Sequence, residues 1–118
     1  MTVRECYDKM GGNYDEALSR LMKEERMAKY LGKFPLGGEL NEMDQAIAAG
    51  DWETAFRAVH TLKGMALNLS ITPLAEASAI FCDEIRPGVA PKNDITQMVA
   101  AVHSAYDVAI AAIKELTV

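Results

Sequence analysis

The chain has 118 residues, half of them apolar, with 12 Lys and Arg against 17 Asp and Glu and a net charge of −5. That length supports one compact domain with its own hydrophobic core and leaves no room for a second of ordinary size, so a single unit over residues 1–118 is expected. An acidic total with few aromatics excludes a phosphate-backbone binder, whose affinity rests on clustered Lys and Arg, and nucleic acid is not an expected partner.

The first segment, Met1 to Cys6, lacks the basic-then-apolar order of an export signal. The longest apolar run, Val108 to Ile113, falls far short of the ~20 residues of a spanning helix. A cytosolic chain without a membrane span is expected. Cys6 and Cys82 have neither CxxC spacing nor a neighbouring His pair, so no metal or redox site is expected and both are read as reduced, buried thiols.

Ala, Leu, Met, Glu and Lys dominate and alternating β-branched clusters are missing, which predicts an all-α fold. A short first helix ends at Gly11-Gly12-Asn13. A second runs from Tyr14 to about Lys23, with Ala17, Leu18 and Leu21 on one face. Glu24 to Phe34 forms a third piece carrying Met27, Tyr30 and Leu31, stopped by Pro35 and Gly37-Gly38. Glu39 to Ala49 follows with Leu40, Met43 and Ile47 at helical spacing. Gly50 then takes the left-handed cap position and Asp51 the next N-cap.

The helix from Trp52 to about Leu69 is followed by Thr72-Pro73, a hydroxyl cap with proline at the first helical position. Leu74, Ala77, Phe81 and Ile85 then repeat until Arg86-Pro87-Gly88. The last helix is expected to begin near Asn93-Asp94 and to run roughly 23 residues, ~35 Å, with Ile95, Met98, Val99, Val102, Tyr106, Ala109, Ile113 and Leu116 on one stripe. Four longer helices joined by short turns bury these stripes most simply as an up-down-up-down four-helix bundle, preceded by short amino-terminal helices. All stripes can be covered internally, so a monomer is expected.

His60 is the one polar residue of the Trp52–Leu69 helix that packing does not explain. At ~100° per residue, Ala55, Ala58, Leu62, Ala66 and Leu69 gather opposite His60 with Val59 flanking them. Glu53, Arg57, Lys63, Gly64 and Leu67 share its side. An outward neutral imidazole is a nucleophile near pH 7 without help from a base. Lys63, one turn on, places an ammonium where it can neutralise a phosphoryl group on the ring. Gly64, at i+4, costs ~1 kcal/mol against Ala in a helix interior, and clearance for a phosphoryl group or a partner loop gives that cost a reason.

The stretch Ala58-Val59-His60-Thr61-Leu62-Lys63-Gly64-Met65-Ala66-Leu67-Asn68-Leu69, preceded by Ala48-Ala49-Gly50-Asp51-Trp52, resembles histidine-containing phosphotransfer (HPt) domains of bacterial phosphorelays, most strongly over residues 46–86. The resemblance implies that His60 carries the phosphoryl group between receiver-domain aspartates, with Lys63 as charge partner and Gly64 as clearance residue. It implies response-regulator receivers and a hybrid sensor histidine kinase as partners. The chain would then be a phosphocarrier without turnover of its own, binding no cofactor or metal. Two positions depart from the family pattern: Ser70 where Gly is frequent, and Cys82 where Glu or Gln orients the imidazole. The residue facing the other ring nitrogen is thus left open, with Asn68 a candidate.

Phe56, Arg57, Leu67 and Asn68 are the expected docking residues beside His60, together with the Glu39–Ala49 helix. The five basic and two acidic residues from Arg20 to Lys33 form a locally positive run, read first as a solvated face and second as a surface that steers an acidic receiver domain. His103 lacks a Lys-Gly companion and is read as structural or incidental, and the seven Met residues as core filling. Two other readings stand beside the carrier: the phosphoacceptor domain of a chemotaxis-type histidine kinase, which the lack of a visible linker disfavours, and a helical adaptor that binds receivers without being phosphorylated.

Overall fold

A computed structural model describes residues 1–116. These form α1 (Val3–Met10), α2 (Tyr14–Leu21), α3 (Glu24–Lys33), a 3₁₀ turn (Phe34–Leu36), α4 (Glu39–Ala49), α5 (Trp52–Asn68), α6 (Thr72–Glu84) and α7 (Thr96–Lys114). From α4 onward each helix packs against the next. A 2.7 Å contact from His103 Nε2 to Asp44 Oδ1 ties α7 back to α4 and closes the four-helix bundle. The chain is therefore all-α, with α1 lying against α7 as an addition to the bundle. His103 is structural, as its sequence context predicts.

The buried face of α5 is the expected one: Ala55, Ala58, Val59, Leu62, Ala66 and Leu69 are all in the core. Three of these six are alanines, which lets α4 and α6 approach closely, while Met43 of α4 and Leu74 and Phe81 of α6 supply the bulk. Met10 and Met27 also fill the core, whereas Met22 is 70% exposed and departs from the core-filling expectation.

Local signals set most of the joints. Gly50 adopts φ 70° and its amide, with that of Asp51, satisfies carbonyls of the last turn of α4. Asp51 then caps α5 by accepting from the Thr54 amide and hydroxyl. This carboxylate therefore titrates below its usual range.

Several boundaries differ from the sequence expectation. Helix α2 stops at Leu21 because Met22 takes φ 77°, which no helix continues. Thr72 is itself helical: Ile71 is the cap residue, and no side chain caps α6. Helix α7 has 19 residues and starts at Thr96, because the Asp94 carboxylate accepts from the Thr96 amide and hydroxyl and holds the preceding residues in a turn. Tyr30, expected on the buried stripe of α3, is 41% exposed at its edge.

The amino-terminal helices hold the end of α5. Arg20 Nη1 donates to the carbonyls of Leu67 and Asn68 at 3.1 and 2.8 Å and to Ser70 Oγ at 3.0 Å. The Tyr7 hydroxyl donates to the Leu69 carbonyl at 2.7 Å. Ser70 follows at φ 54°, left-handed backbone that favours glycine, and its hydroxyl donates to Glu16 at 2.7 Å. The end of the helix that carries His60 is thus fixed by residues about 50 positions earlier in the chain.

Candidate functional site

His60 lies in the middle of α5, more than two turns from either end, and is exposed. The buried stripe opposite it fixes the rotational setting of the helix, so the imidazole points away from the core by the same geometry that places Leu62 and Ala66 inside. Its ring stacks on Phe56, one turn earlier, with centroids 5.7 Å apart and planes inclined by 18°.

The sulfur of Cys82, on α6, stands 3.9 Å from His60 Nδ1. This answers the question left open by the sequence. Asn68, the candidate there, lines instead a separate shallow pocket with Tyr30, Lys33 and Met65 at the far end of α5. Burial keeps the Cys82 thiol protonated and pushes its pKa up, and the Arg86 and Lys63 cations oppose that push. Among the described residues Nε2 has no hydrogen-bond partner. Both cysteines are free and buried, as expected.

Lys63 is half-buried and makes no ion pair among the described residues. With Leu67 it lines a groove of about 350 Å³ between α5 and α6, walled by Ala66, Ala75 and Ala79. Gly64 is exposed, and a Cβ added there would meet nothing within 4 Å. Close helix packing therefore does not account for this glycine, and the space above the helix is open there. Leu67 is 52% exposed and Arg57 reaches back to Thr54 Oγ1 at 3.4 Å. The ring and sulfur contacts of His60 come from α5 and α6.

Arg86 was visible in the sequence only as part of a helix stop. In the fold it reaches back over the site: its guanidinium lies 5.5 Å from the Phe56 ring centroid, 4.0 Å from Cys82 Sγ and 3.2 Å from Asp83 Oδ1. No spacing rule links residue 86 to residue 60, because the two helices meet only through the bundle. Among the described residues no group of three or more His, Cys, Asp and Glu side chains is arranged to hold a metal, and no helix is long and apolar enough to cross a membrane.

A helical bundle that holds an imidazole outward at mid-helix, over a buried thiol and beside a lysine that makes no ion pair among the described residues, has the form of a phosphotransfer module. The family model of the Hpt domain matches residues 36–107 of the 118, from the 3₁₀ turn through most of α7, and the chain belongs to this family. Hpt domains serve histidine phosphotransfer in phosphorelays, act as phosphocarriers and interact with response-regulator receivers. Helices α1 and α2, which hold the end of α5 through Tyr7 and Arg20, and α3 precede the matched region. No curated protein and no solved structure matches the chain at a significant level.

Proposed function

We propose that His60 accepts a phosphoryl group from a receiver-domain phospho-aspartate and passes it to a second receiver. The observation that carries this reading is the asymmetry of the ring of this exposed residue: Nδ1 faces a buried thiol while Nε2 has no hydrogen-bond partner among the described residues. A nucleophilic Nε2 requires the proton on Nδ1, and the Cys82 sulfur is placed to accept from it. Nε2 attacks phosphorus, the N–P bond forms, the O–P bond breaks and the aspartate leaves as carboxylate with the bonding pair. Nδ1 keeps its proton, so no base is consumed.

Phosphoryl transfer through a loose transition state needs position and positive charge more than covalent assistance. Lys63 supplies charge from the same helix, and Gly64 leaves the ring edge clear for the partner. Phe56, Arg57, Leu67 and Asn68 form the docking surface, with the groove beside Lys63, floored by alanines and rimmed by Asn13, Glu16 and Glu76, receiving a partner side chain. The divalent metal and its carboxylate ligands belong to the receiver. In this reading the protein is a monomeric cytoplasmic carrier charged through a hybrid sensor histidine kinase and its receiver, with no turnover of its own.

The test is incubation with a phosphorylated receiver followed by assay for acid-labile, alkali-resistant label on the chain. The label is expected on the wild type and absent from His60→Ala. Label that persists in His60→Ala, or none on the wild type from any receiver of the same cell, refutes the reading and leaves the non-phosphorylated adaptor.

A further inference from the structure

Helix α3 divides its exposed surface by charge. At ~100° per residue, Tyr30, Arg26 and Lys33 follow one another around the helix on one side of the buried stripe of Met27 and Leu31, with Glu24, Ala28, Gly32 and Glu25 on the other and Lys29 at the divide. The two sides face different neighbours. Tyr30 and Lys33 line a groove with Met65 and Asn68 of α5, whereas Glu25, Ala28 and Gly32 line one with Ile113 of α7. Arg26 and Lys33 are exposed, and neither makes an ion pair among the described residues. We propose that this basic side of α3 selects the receiver, by pairing Arg26 and Lys33 with carboxylates at the edge of the receiver's contact face. The proposal rests on the reading that a receiver docks over His60.

Position ties this patch to the histidine. His60, Gly64 and Asn68 follow at intervals of four along α5, so the open space above Gly64 leads from the imidazole toward Asn68, about 12 Å along the helix, and there meets Tyr30 and Lys33. A receiver that covers His60 and extends along this strip reaches α3. Charge decides the chemistry of its edge. The chain carries −5 overall, yet residues 20–33 hold five basic and two acidic side chains, so an acidic contact face is repelled by the molecule as a whole and drawn to this place. Exposed pairs of this kind add little affinity each, but they orient the encounter and penalise a partner of the wrong sign. The shared Asn68 makes the patch continuous with the docking surface, which favours a protein partner over an anionic lipid surface. Helix α3 also lies outside residues 36–107, so charges there can change partner choice without altering the helix that carries His60.

The experiment titrates the full chain calorimetrically with the receiver that labels it in the preceding test, at low and high salt, and measures transfer at saturating receiver. The double variant Arg26→Glu with Lys33→Glu should weaken binding about tenfold and the double alanine variant about threefold, with the saturating transfer rate within about twofold of wild type in both. High salt should weaken wild-type binding and leave the charge-reversed variant nearly unaffected. Glu25→Lys, which adds a cation on the opposite side of α3, should bind as wild type does. Unchanged binding in the double variants, a loss confined to the saturating rate, or an equal response in Glu25→Lys overturns the proposal; should the charge-reversed chain not fold, the alanine variant decides alone. Capture of the wild type, and not of the charge-reversed variant, by phosphatidylglycerol vesicles with receiver binding unchanged would assign the patch to lipid and overturn it as well. Failure of the carrier reading is separately visible: a receiver of the same cell then binds with this dependence on Arg26 and Lys33 but leaves no label on His60.

Discussion

Cys82 presents a buried, neutral sulfur to the Nδ1 side of His60 at 3.9 Å, where a stronger acceptor could have been placed. A thiol sulfur accepts weakly, so it fixes the ring tautomer with less force than a carboxamide or carboxylate would. Cys82→Ala is expected to leave the bundle folded, to mix the His60 tautomers and to slow phosphoryl transfer about threefold to tenfold, a cost of about 1 kcal/mol as for one hydrogen bond. Nitrogen NMR of the imidazole together with rapid-quench transfer kinetics checks both parts.

Gly64 separates clearance from packing. Since an added Cβ meets nothing within 4 Å, Gly64→Ala should stabilise the protein by up to about 1 kcal/mol through helix propensity alone. Gly64→Gln should be at least as stable as wild type and yet transfer poorly, because its side chain occupies the approach to the ring. Urea titration paired with transfer assays distinguishes the two, and a destabilised Gly64→Ala would contradict the open geometry.

Lys63 has no ionic partner to lose among the described residues. Lys63→Glu should therefore melt within a few degrees of wild type while slowing transfer at least tenfold, since it places a carboxylate where the phosphoryl oxygens must lie. Equal transfer rates at equal receiver concentration would remove Lys63 from the site.

Arg20 satisfies two carbonyls at the end of α5 and the Ser70 hydroxyl. Arg20→Ala should cost about 1.5–3 kcal/mol, the range for hydrogen bonds to a charged donor. It should also speed amide exchange in the last turn of α5 before that of His60. Denaturant melts and hydrogen exchange report these effects.

Burial raises the Cys6 pKa from 9.0 to about 11, and Tyr7 shifts in the same direction for the same cause. Above pH 9 the unfolded chain has lost the Cys6 proton while the folded chain keeps it. Stability is therefore complete below pH 9 and falls toward pH 11, by about 2–3 kcal/mol for this group alone. Urea melts at pH 8 and pH 10.5 should show the decline, and Cys6→Ala should flatten part of it.

The candidate site was legible in the sequence as far as one helix extends. The rotational setting of α5, the outward direction of His60, and the positions of Lys63 and Gly64 all follow from the 3.6-residue period acting on the pattern from Ala55 to Leu69, because residues on one helix are related by a fixed geometry. The tight joint at Gly50-Asp51 was equally plain, since left-handed backbone and a carboxylate cap are local demands.

What the sequence could not supply is whatever reaches His60 from another helix. Cys82 and Arg86 lie 22 and 26 residues beyond it, and the place of the one beside the imidazole and of the other over Phe56 depends on how α6 is rotated and shifted against α5 across a core of small side chains. The same holds for Arg20 and Tyr7 at the end of α5, and for Asp44 opposite His103. Helical period, caps and breakers are properties of neighbouring residues and fix the elements one at a time. The packing of those elements is a property of the whole core, and it alone decided which thiol stands beside the histidine and which guanidinium lies over the Phe56 ring that stacks on it.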